Sequence, residues 1–192
     1  AAQLSKRRVA AGQRLSKAVE RELAELNMGE ARLKLAISQT ELRERGSDEI
    51  ELLIATNKGE PFKVLRQVAS GGELSRILLV LKKILNDRHG VNVLVFDEID
   101  SGISGAVARA VGEKLAALSC GAQVLCITHL AQVASLADHH LFIQKLSEDR
   151  TRASVAVLSE EQRVEEIARM LGGYKVSRAT RESARELLAS KY

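Results

Sequence analysis

The hydrophobic positions near the start of the chain recur with a helical period. Leu15, Val19, Leu23 and Leu26 form a single stripe on a helix whose other positions are largely charged. The pattern predicts a helix over residues 1–27. It fits the returning arm of a coiled coil, or an ordinary surface helix.

After residue 28 the pattern becomes that of an α/β domain. Residues 31–38 and 49–55 alternate between apolar and polar positions, which predicts two strands joined by a turn at 45–48. Nearly continuous apolar runs at 91–96 and 122–128 predict strands buried on both faces. The remaining predicted elements are helices at 72–87, 106–118, 160–171 and 177–189, a short helix starting near His129, and paired strands at 141–145 and 153–158. This alternation predicts an α/β fold with a mostly parallel sheet and flanking helices.

Composition narrows the function classes only slightly. Of the 192 residues 45% are hydrophobic but only 3% aromatic, so the core is expected to be aliphatic. The net charge of +4 is compatible with a nucleic-acid partner, and equally with solubility alone. No apolar run approaches the ~20 residues that span a bilayer, so we expect no membrane partner. Cys120 and Cys126 lack CxxC spacing and are expected to be reduced core thiols of a cytoplasmic protein.

Two acidic residues follow the first continuous apolar run. Asp97 and Glu98 stand where open α/β sheets bind ligands, at the carboxyl end of a strand. Adjacent carboxylates there are costly unless a cation is close, and Mg²⁺ with a nucleotide is the usual one. Asp97 would then contact the metal shell and Glu98 would polarise an attacking water. The alternative is a solvated strand end.

A serine and two glycines open the predicted helix at residue 72. Ser70, Gly71 and Gly72 leave backbone N–H groups uncovered at the positive end of the helix dipole, which favours an anion such as phosphate. Ser70 followed three residues later by Glu73 also fits a helix capping box. The two interpretations are compatible.

One histidine follows the second continuous apolar run. If the two strands are parallel neighbours, His129 lies close to Asp97 and Glu98 and could sense a phosphate or the attacking water. A lone histidine at a strand end is more often structural. A metal site at His139 and His140 is not expected.

These motifs, in this order, resemble the second half of an ABC-type ATPase head. The strings SGGELSR (70–76), FDEIDSGISG (96–105) and THLAQVA (128–134) resemble the RecN family of bacterial DNA-repair ATPases, relatives of the SMC proteins. The string IARMLGG (167–173) is similar to that family's ending. The resemblance covers roughly residues 30–190, and the first helix fits the end of the coiled coil.

The resemblance implies roles for individual residues. Asp97 would bind Mg²⁺ and Glu98 would be the catalytic base of a Walker B motif, and His129 would be the switch histidine. The implied ATP-contacting residues are the signature motif Ser70, Gly71, Gly72 and Glu73, which acts on ATP held by a second head, and the D-loop Ser101, Gly102, Ile103 and Ser104. Many ABC proteins have Asp where Ser104 stands, so the chain departs from the general ABC pattern at this position.

The phosphate-binding P-loop, G-x-x-x-x-G-K-[ST], does not occur in the sequence, and Lys58-Gly59 is the nearest approach to it. We therefore expect the chain to be the C-terminal lobe of the head (28–192), preceded by the coiled-coil end (1–27). Alone, it should neither bind ATP tightly nor hydrolyse it. The implied cofactors are ATP and Mg²⁺, both needing the P-loop lobe.

The resemblance also implies partners and a location. These are the N-terminal P-loop lobe, a second head in a homodimer, and DNA, as ends or single strands, in the bacterial nucleoid. Two alternatives remain open: another SMC-like head that organises chromosomes, or a non-catalytic interaction module.

Overall fold

The computed structural model describes residues 1–68, 70–85, 93–147, 151–173 and 175–190. They group into two compact units, Ala1–Ile127 and Thr128–Tyr192. The mixture of helices and small sheets confirms the α/β class. The division at 27/28 into arm and lobe stays a prediction.

The first unit contains two sheets. Its elements are α1 (Ala2–Ala24), β1 (Arg32–Arg43), β2 (Gly46–Ala55), β3 (Lys63–Val64), a 3-10 turn (Leu65–Gln67), α2 (Gly71–Leu85), β4 (Val93–Phe96), α3 (Gly105–Ser119) and β5 (Gln123–Cys126). Strands β1, β2 and β3 form an antiparallel sheet, whereas β4 and β5 are parallel. Because Arg43 pairs with Gly46, the β1–β2 turn is tighter and earlier than the predicted turn at 45–48.

Helix α1 packs directly on the β1–β2 hairpin. A Cβ on Gly12 would lie 2.8 Å from Leu35 Cδ2, so only glycine permits this close approach. The Arg8 guanidinium donates to Asp48 at 2.7 Å. The Ser5 hydroxyl and Arg8 together hold the pKa of Asp48 below its usual range.

A cluster of opposite charges joins α1 to α2 and α3. Lys83 Nζ lies 2.8 Å from the Glu22 carboxylate. The nearly buried Lys114 of α3 bonds the same carboxylate and also Glu25, at 2.6 Å. Burial alone would lower the pKa of Lys114, but its bonds to the two glutamates outweigh burial and raise it. For Glu22 the directions are reversed. Burial alone would raise the pKa of its carboxyl, but the bonds to Lys114 and Lys83 outweigh burial and lower it.

Strands β4 and β5 are parallel neighbours, as predicted, but their predicted burial differs from what the structure shows. Val93 is 47% exposed and Val95 63%, and on β5 and just after it Leu125 is 41% and Ile127 53% exposed. These side chains share one face of the β4–β5 pair, while Phe96 on the other face is buried. The prediction of burial on both faces is therefore wrong, because the described residues of this unit leave the face that carries Val95 and Leu125 largely uncovered.

The prediction of a mostly parallel sheet also needs correction. Among the described strands β4–β5 is the one parallel pair, and the other pairings are antiparallel. The reason lies in the connections. Helix α3 provides the long crossover that parallel strands need, whereas β1 and β2 are joined by a tight turn, and only three positions separate the strands Leu141–Ser147 and Thr151–Val157.

The second unit is built from elements adjacent in sequence: α4 (Ala131–Ala134), the antiparallel strands β6 (Leu141–Ser147) and β7 (Thr151–Val157), α5 (Glu160–Gly172) and α6 (Arg178–Ala189). Its core contains Ala131, Ala134, Ile167, Ala168 and Ala184. Capping boxes start α5 and α6: Ser159 with Gln162, and Ser177 with Thr180.

The other sequence predictions agree with these bounds to within a few residues. The predicted end of the second helix at Asp87 and the predicted strand start at Val91 lie outside the described residues. Cys120 is exposed, because it lies just past the end of α3, so its assignment as a core thiol is wrong. None of the described helices is both long and apolar enough to cross a membrane.

Candidate nucleotide site at the start of helix α2

The Ser70 half of the predicted capping box is present at the start of α2. The Ser70 hydroxyl accepts a hydrogen bond from the Glu73 backbone N–H at 3.3 Å, and the Leu74 N–H donates to the Ser70 carbonyl at 3.0 Å. Glu73 lies in the first turn, where the helix dipole favours negative charge. Ser70, Gly71, Gly72 and Glu73 therefore begin the helix, with Gly71 exposed and Gly72 buried.

Asp97 and Glu98 follow β4 directly, as predicted, and begin a turn that we call the acidic loop (residues 97–104). Asp97 Oδ1 accepts from the Glu98 N–H at 2.9 Å, and the Glu98 carbonyl accepts from the Ser101 N–H at 3.0 Å. Glu98 has a φ of +55°, a value that residues other than Gly, Asn and Asp rarely adopt. Strain of this kind is concentrated at functional sites.

The two glycines of α2 pack against the acidic loop. A Cβ on Gly71 would overlap Oε2 of Glu98. A Cβ on Gly72 would lie 2.9 Å from Ser101 Cβ and 3.0 Å from the Glu98 carbonyl oxygen. The predicted signature, Walker B and D-loop segments thus meet at these glycines, where a side chain at position 71 would displace that of Glu98 and one at position 72 would meet backbone atoms.

Two further side chains of α2 hold the acidic loop. The Ser75 hydroxyl donates to the Asp97 carbonyl at 2.9 Å. Arg76 Nη1 donates to the carbonyls of Ile99, at 3.2 Å, and Ser101, at 2.8 Å. Arg76 is only 6% exposed, and its Nε has no hydrogen-bond partner within the described residues. Burial lowers the pKa of Arg76, against the smaller opposing effect of Glu73.

The sequence analysis assigned no role to Ser75 or Arg76. Two leucines of α2, Leu78 and Leu85, are 42% and 54% exposed. The buried face instead contains Gly72, Arg76, Ile77, Leu79, Val80 and Leu81. The usable signal was the spacing of Arg76, four residues after Gly72 and four before Val80.

Ser101 and Gly102 lie exposed in the acidic loop, and Ile103 is partly buried. Gly102 has a φ of +72°, which suits glycine, and Ser104 precedes the first residue of α3 in extended conformation. The loop's Asp100 is 3% exposed. Of the predicted D-loop residues, Ser101 contacts α2 through the bond that its carbonyl accepts from Arg76.

His129 lies in the second unit, exposed between β5 and α4. Its neighbour Thr128 accepts a hydrogen bond from the Leu130 N–H at 3.1 Å. The approach of His129 to Asp97 and Glu98 stays a prediction.

The exposed carboxylates are compatible with a bound cation. Asp97 uses one oxygen in the bond to Glu98 N–H, which leaves the other for a ligand. The described residues contain no cluster of three or more His, Cys, Asp or Glu that could hold a metal alone. A divalent ion here would therefore need oxygens from elsewhere, as Mg²⁺ obtains from nucleotide phosphates.

The solved structures that the chain resembles are SMC heads. An Smc head domain with a coiled coil and joint from Pyrococcus yayanosii matches with a TM-score of 0.58 and 20% identity, over 84% of this chain and 29% of that one. A chain from a study of ATP-driven dimerization and DNA-stimulated activation of SMC ATPases matches with a TM-score of 0.50 and 18% identity, over 87% of this chain and 97% of that one. At these identities the likeness shows the fold, an SMC-type head.

Curated relatives are more similar in sequence, although no protein-family model matches the chain. DNA repair protein RecN of Halalkalibacterium halodurans is 44% identical over 180 residues, which are 91% of this chain and 32% of that protein. RecN of Bacillus subtilis is 50% identical over 149 residues, 77% of this chain and 26% of that protein. RecN of Vibrio cholerae is 39% identical over 96% of this chain and 34% of its own length. The chain thus spans about a third of its curated relatives and belongs to the RecN family.

Proposed function

We propose that this chain is the C-terminal lobe of an ATPase head that works in DNA double-strand break repair. Completed by a P-loop lobe and paired with a second head, it would bind and hydrolyse ATP. The observation that carries the proposal is the packing of Gly71 and Gly72 against Glu98 and Ser101. A non-catalytic interaction module would not need two glycines in contact with a glutamate in a strained backbone conformation.

In this proposal each residue of the site has a distinct task. Ser70 and the backbone N–H groups at the start of α2 bind phosphate oxygens of the ATP held by the partner head. Glu98 orients and deprotonates the attacking water, and Asp97 binds Mg²⁺, which when bound neutralises charge on the phosphates. Ser101 and Gly102 face the partner head, and His129 senses the terminal phosphate.

The exposed face of β4–β5 supports the need for a second lobe. Parallel strands are normally covered on both faces, yet Val95 and Ile127 are more than half exposed. We propose that the P-loop lobe extends this sheet and covers the face. The same face also favours the second candidate function, a non-catalytic interaction module, because exposed apolar surface marks docking sites.

ATP turnover by the chain, with and without a separately expressed P-loop lobe, tests the proposal. We expect activity only in the mixture, and its loss in Glu98→Gln with persistence of ATP-bound dimers. Glu44→Gln, an exposed glutamate at the β1–β2 turn, is the matched control and should keep full turnover. A stable complex of the two lobes without turnover would instead favour the interaction module.

A further inference from the structure

The exposed basic residues of α1 lie on one side of the helix, and the acidic residues of α1 lie outside that side. The first nineteen residues contain no Asp or Glu. The acidic residues that follow are used in contacts: Glu20 accepts from the Leu33 N–H at 3.0 Å, and Glu22 and Glu25 bond Lys114. Five basic residues instead remain exposed: Lys6, Arg7, Arg14, Lys17 and Arg21. We call these five residues the basic stripe.

The basic stripe is linear and unpaired. At 3.6 residues per turn the five residues fall within an arc of about 100°, and at 1.5 Å per residue they extend over about 22 Å. The buried residues Gly12, Val19 and Leu23 lie on the opposite side of the helix. Within the part of the chain that the structure describes, none of the five makes a hydrogen bond or ion pair through its side chain. An ordinary solvated face mixes both signs of charge, whereas this one does not.

The surroundings of the stripe argue against a protein helix or a membrane as its partner. The apolar residues on that arc are Ala10 and Ala24, so it offers no seam of large side chains to a coiled-coil helix. A membrane-surface helix needs a continuous apolar face beside its cations. Here Val19 and Leu23 are buried in the unit, and the exposed Leu4 and Val9 lie on different sides of the helix. Helix α1 also has no aromatic residue on which unpaired bases could stack.

We propose that the basic stripe binds the phosphate backbone of duplex DNA. Duplex DNA presents about one charge per 1.7 Å of its axis, and a rigid row of Lys and Arg can neutralise several of these at once. Backbone contacts of this kind position a protein on DNA without reading its sequence. The inference relies on the proposed repair role for the identity of the partner.

The test is the salt dependence of binding between the chain and a labelled duplex, measured by fluorescence anisotropy. The stripe variant replaces Arg7, Arg14 and Lys17 with Gln. A control variant of equal net charge replaces the exposed Lys58, Lys63 and Lys82 with Gln. Losing three phosphate contacts should reduce the slope of log K against log salt by about 2.7. Raising the salt from about 50 to about 200 mM would then weaken DNA binding by the stripe variant about 40-fold less than it weakens binding by the unmodified chain. The control variant should behave like the unmodified chain.

Two further measurements keep the test decisive. Gln has a helix propensity close to that of Lys and Arg, so far-ultraviolet circular dichroism should be unchanged. Arg7→Lys with Arg14→Lys keeps the charge and should keep the slope. Equal losses in stripe and control variants, or loss in the Lys variant, would overturn the proposal. So would a stripe variant that loses binding to phosphatidylserine vesicles but keeps DNA.

The assay uses neither ATP nor the P-loop lobe. A failure of ATP turnover therefore leaves the DNA result standing, and a failure of DNA binding leaves the proposed ATPase site untouched.

Discussion

Gly71 and Glu98 are in direct contact, although 27 positions separate them in the chain, and a Cβ on residue 71 would overlap Oε2 of Glu98. The atom in the way is the far end of a flexible side chain. At Gly72 the obstacles are Ser101 and the Glu98 carbonyl, which belongs to the backbone. The two adjacent glycines therefore tolerate substitution differently.

We expect Gly72→Ala to lower the free energy of unfolding by about 1–3 kcal/mol, because the acidic loop must move to admit a methyl group. Gly71→Ala should change it by less than about 1 kcal/mol, because Glu98 can rotate away. Urea denaturation of the two variants checks this. An equal change in the free energy of unfolding for Gly71→Ala and Gly72→Ala would contradict the packing of these glycines on the acidic loop.

Glu98 pays a conformational cost for its place in the acidic loop. Glu98→Gly should raise the free energy of unfolding by about 0.5–1 kcal/mol, because glycine adopts a φ of +55° without strain. It should also abolish ATP turnover in the mixture with the P-loop lobe. The comparison is Glu113→Gly, in the middle of α3, which should be destabilising by about 1 kcal/mol. A loss of stability in Glu98→Gly would show that the side chain, not the backbone, dominates.

Arg76 links α2 to the acidic loop through two backbone carbonyls. We expect Arg76→Met to cost about 1–3 kcal/mol, because those carbonyls lose a charged donor. Hydrogen exchange at the Ser101 and Ile103 amides, which close the turn, should accelerate. Arg178→Met, at an arginine whose side chain is 93% exposed, should cost less than about 0.5 kcal/mol. Unchanged exchange at both amides would show that the loop holds its shape without Arg76.

The cluster of Glu22, Lys83 and Lys114 should make stability depend on pH. The lowered pKa of Glu22 means that its contribution is present above its usual value of about 4.3 and is lost as pH falls through the folded-state pKa. The raised pKa of Lys114 means that its contribution is present below about 10.4 and is lost as pH rises through the folded-state pKa.

Lys114→Met should therefore cost about 1–3 kcal/mol near neutral pH, and less once the pH falls through the lowered folded-state pKa of Glu22 and that carboxylate takes up a proton. Lys83→Met should cost less, because the Lys83 side chain is 34% exposed whereas that of Lys114 is 6% exposed. Denaturation curves at several pH values measure both. A cost of Lys114→Met that does not vary with pH would mean packing, not charge, explains it.

The two cysteines should differ in reactivity. Burial, together with the nearby Asp100 and Asp97, raises the pKa of Cys126 to about 12, so its thiol stays protonated at pH 8. Cys120 is exposed. Iodoacetamide labelling followed by mass spectrometry should show rapid modification of Cys120 alone in the native chain, and of both in denaturant. Fast native labelling of Cys126 would contradict its burial.

Local patterns predicted where the site elements lie. The apolar run before Asp97 located the strand end, and the serine and glycines at 70–72 located the start of α2. Both signals depend on residues next to one another in the chain. The α/β class followed from the same patterns.

Contacts between distant segments could not be predicted in this way. The bonds of Arg76 to the carbonyls of Ile99 and Ser101, and the positive φ of Glu98, depend on how α2 packs on the acidic loop. The exposure of Val95 depends on whether another part of the protein packs on that face of the sheet, and an apolar run in the sequence does not show this.

The capping boxes of Ser159 and Ser177 have a consequence for the order of folding. Each helix start is encoded within four residues, and the β6–β7 pairing is also local. Low contact order makes folding fast, whereas the first unit must close long loops before Glu22 meets Lys114. We therefore expect refolding to show an early phase in which the second unit gains structure, ahead of the packing of α2 on the acidic loop.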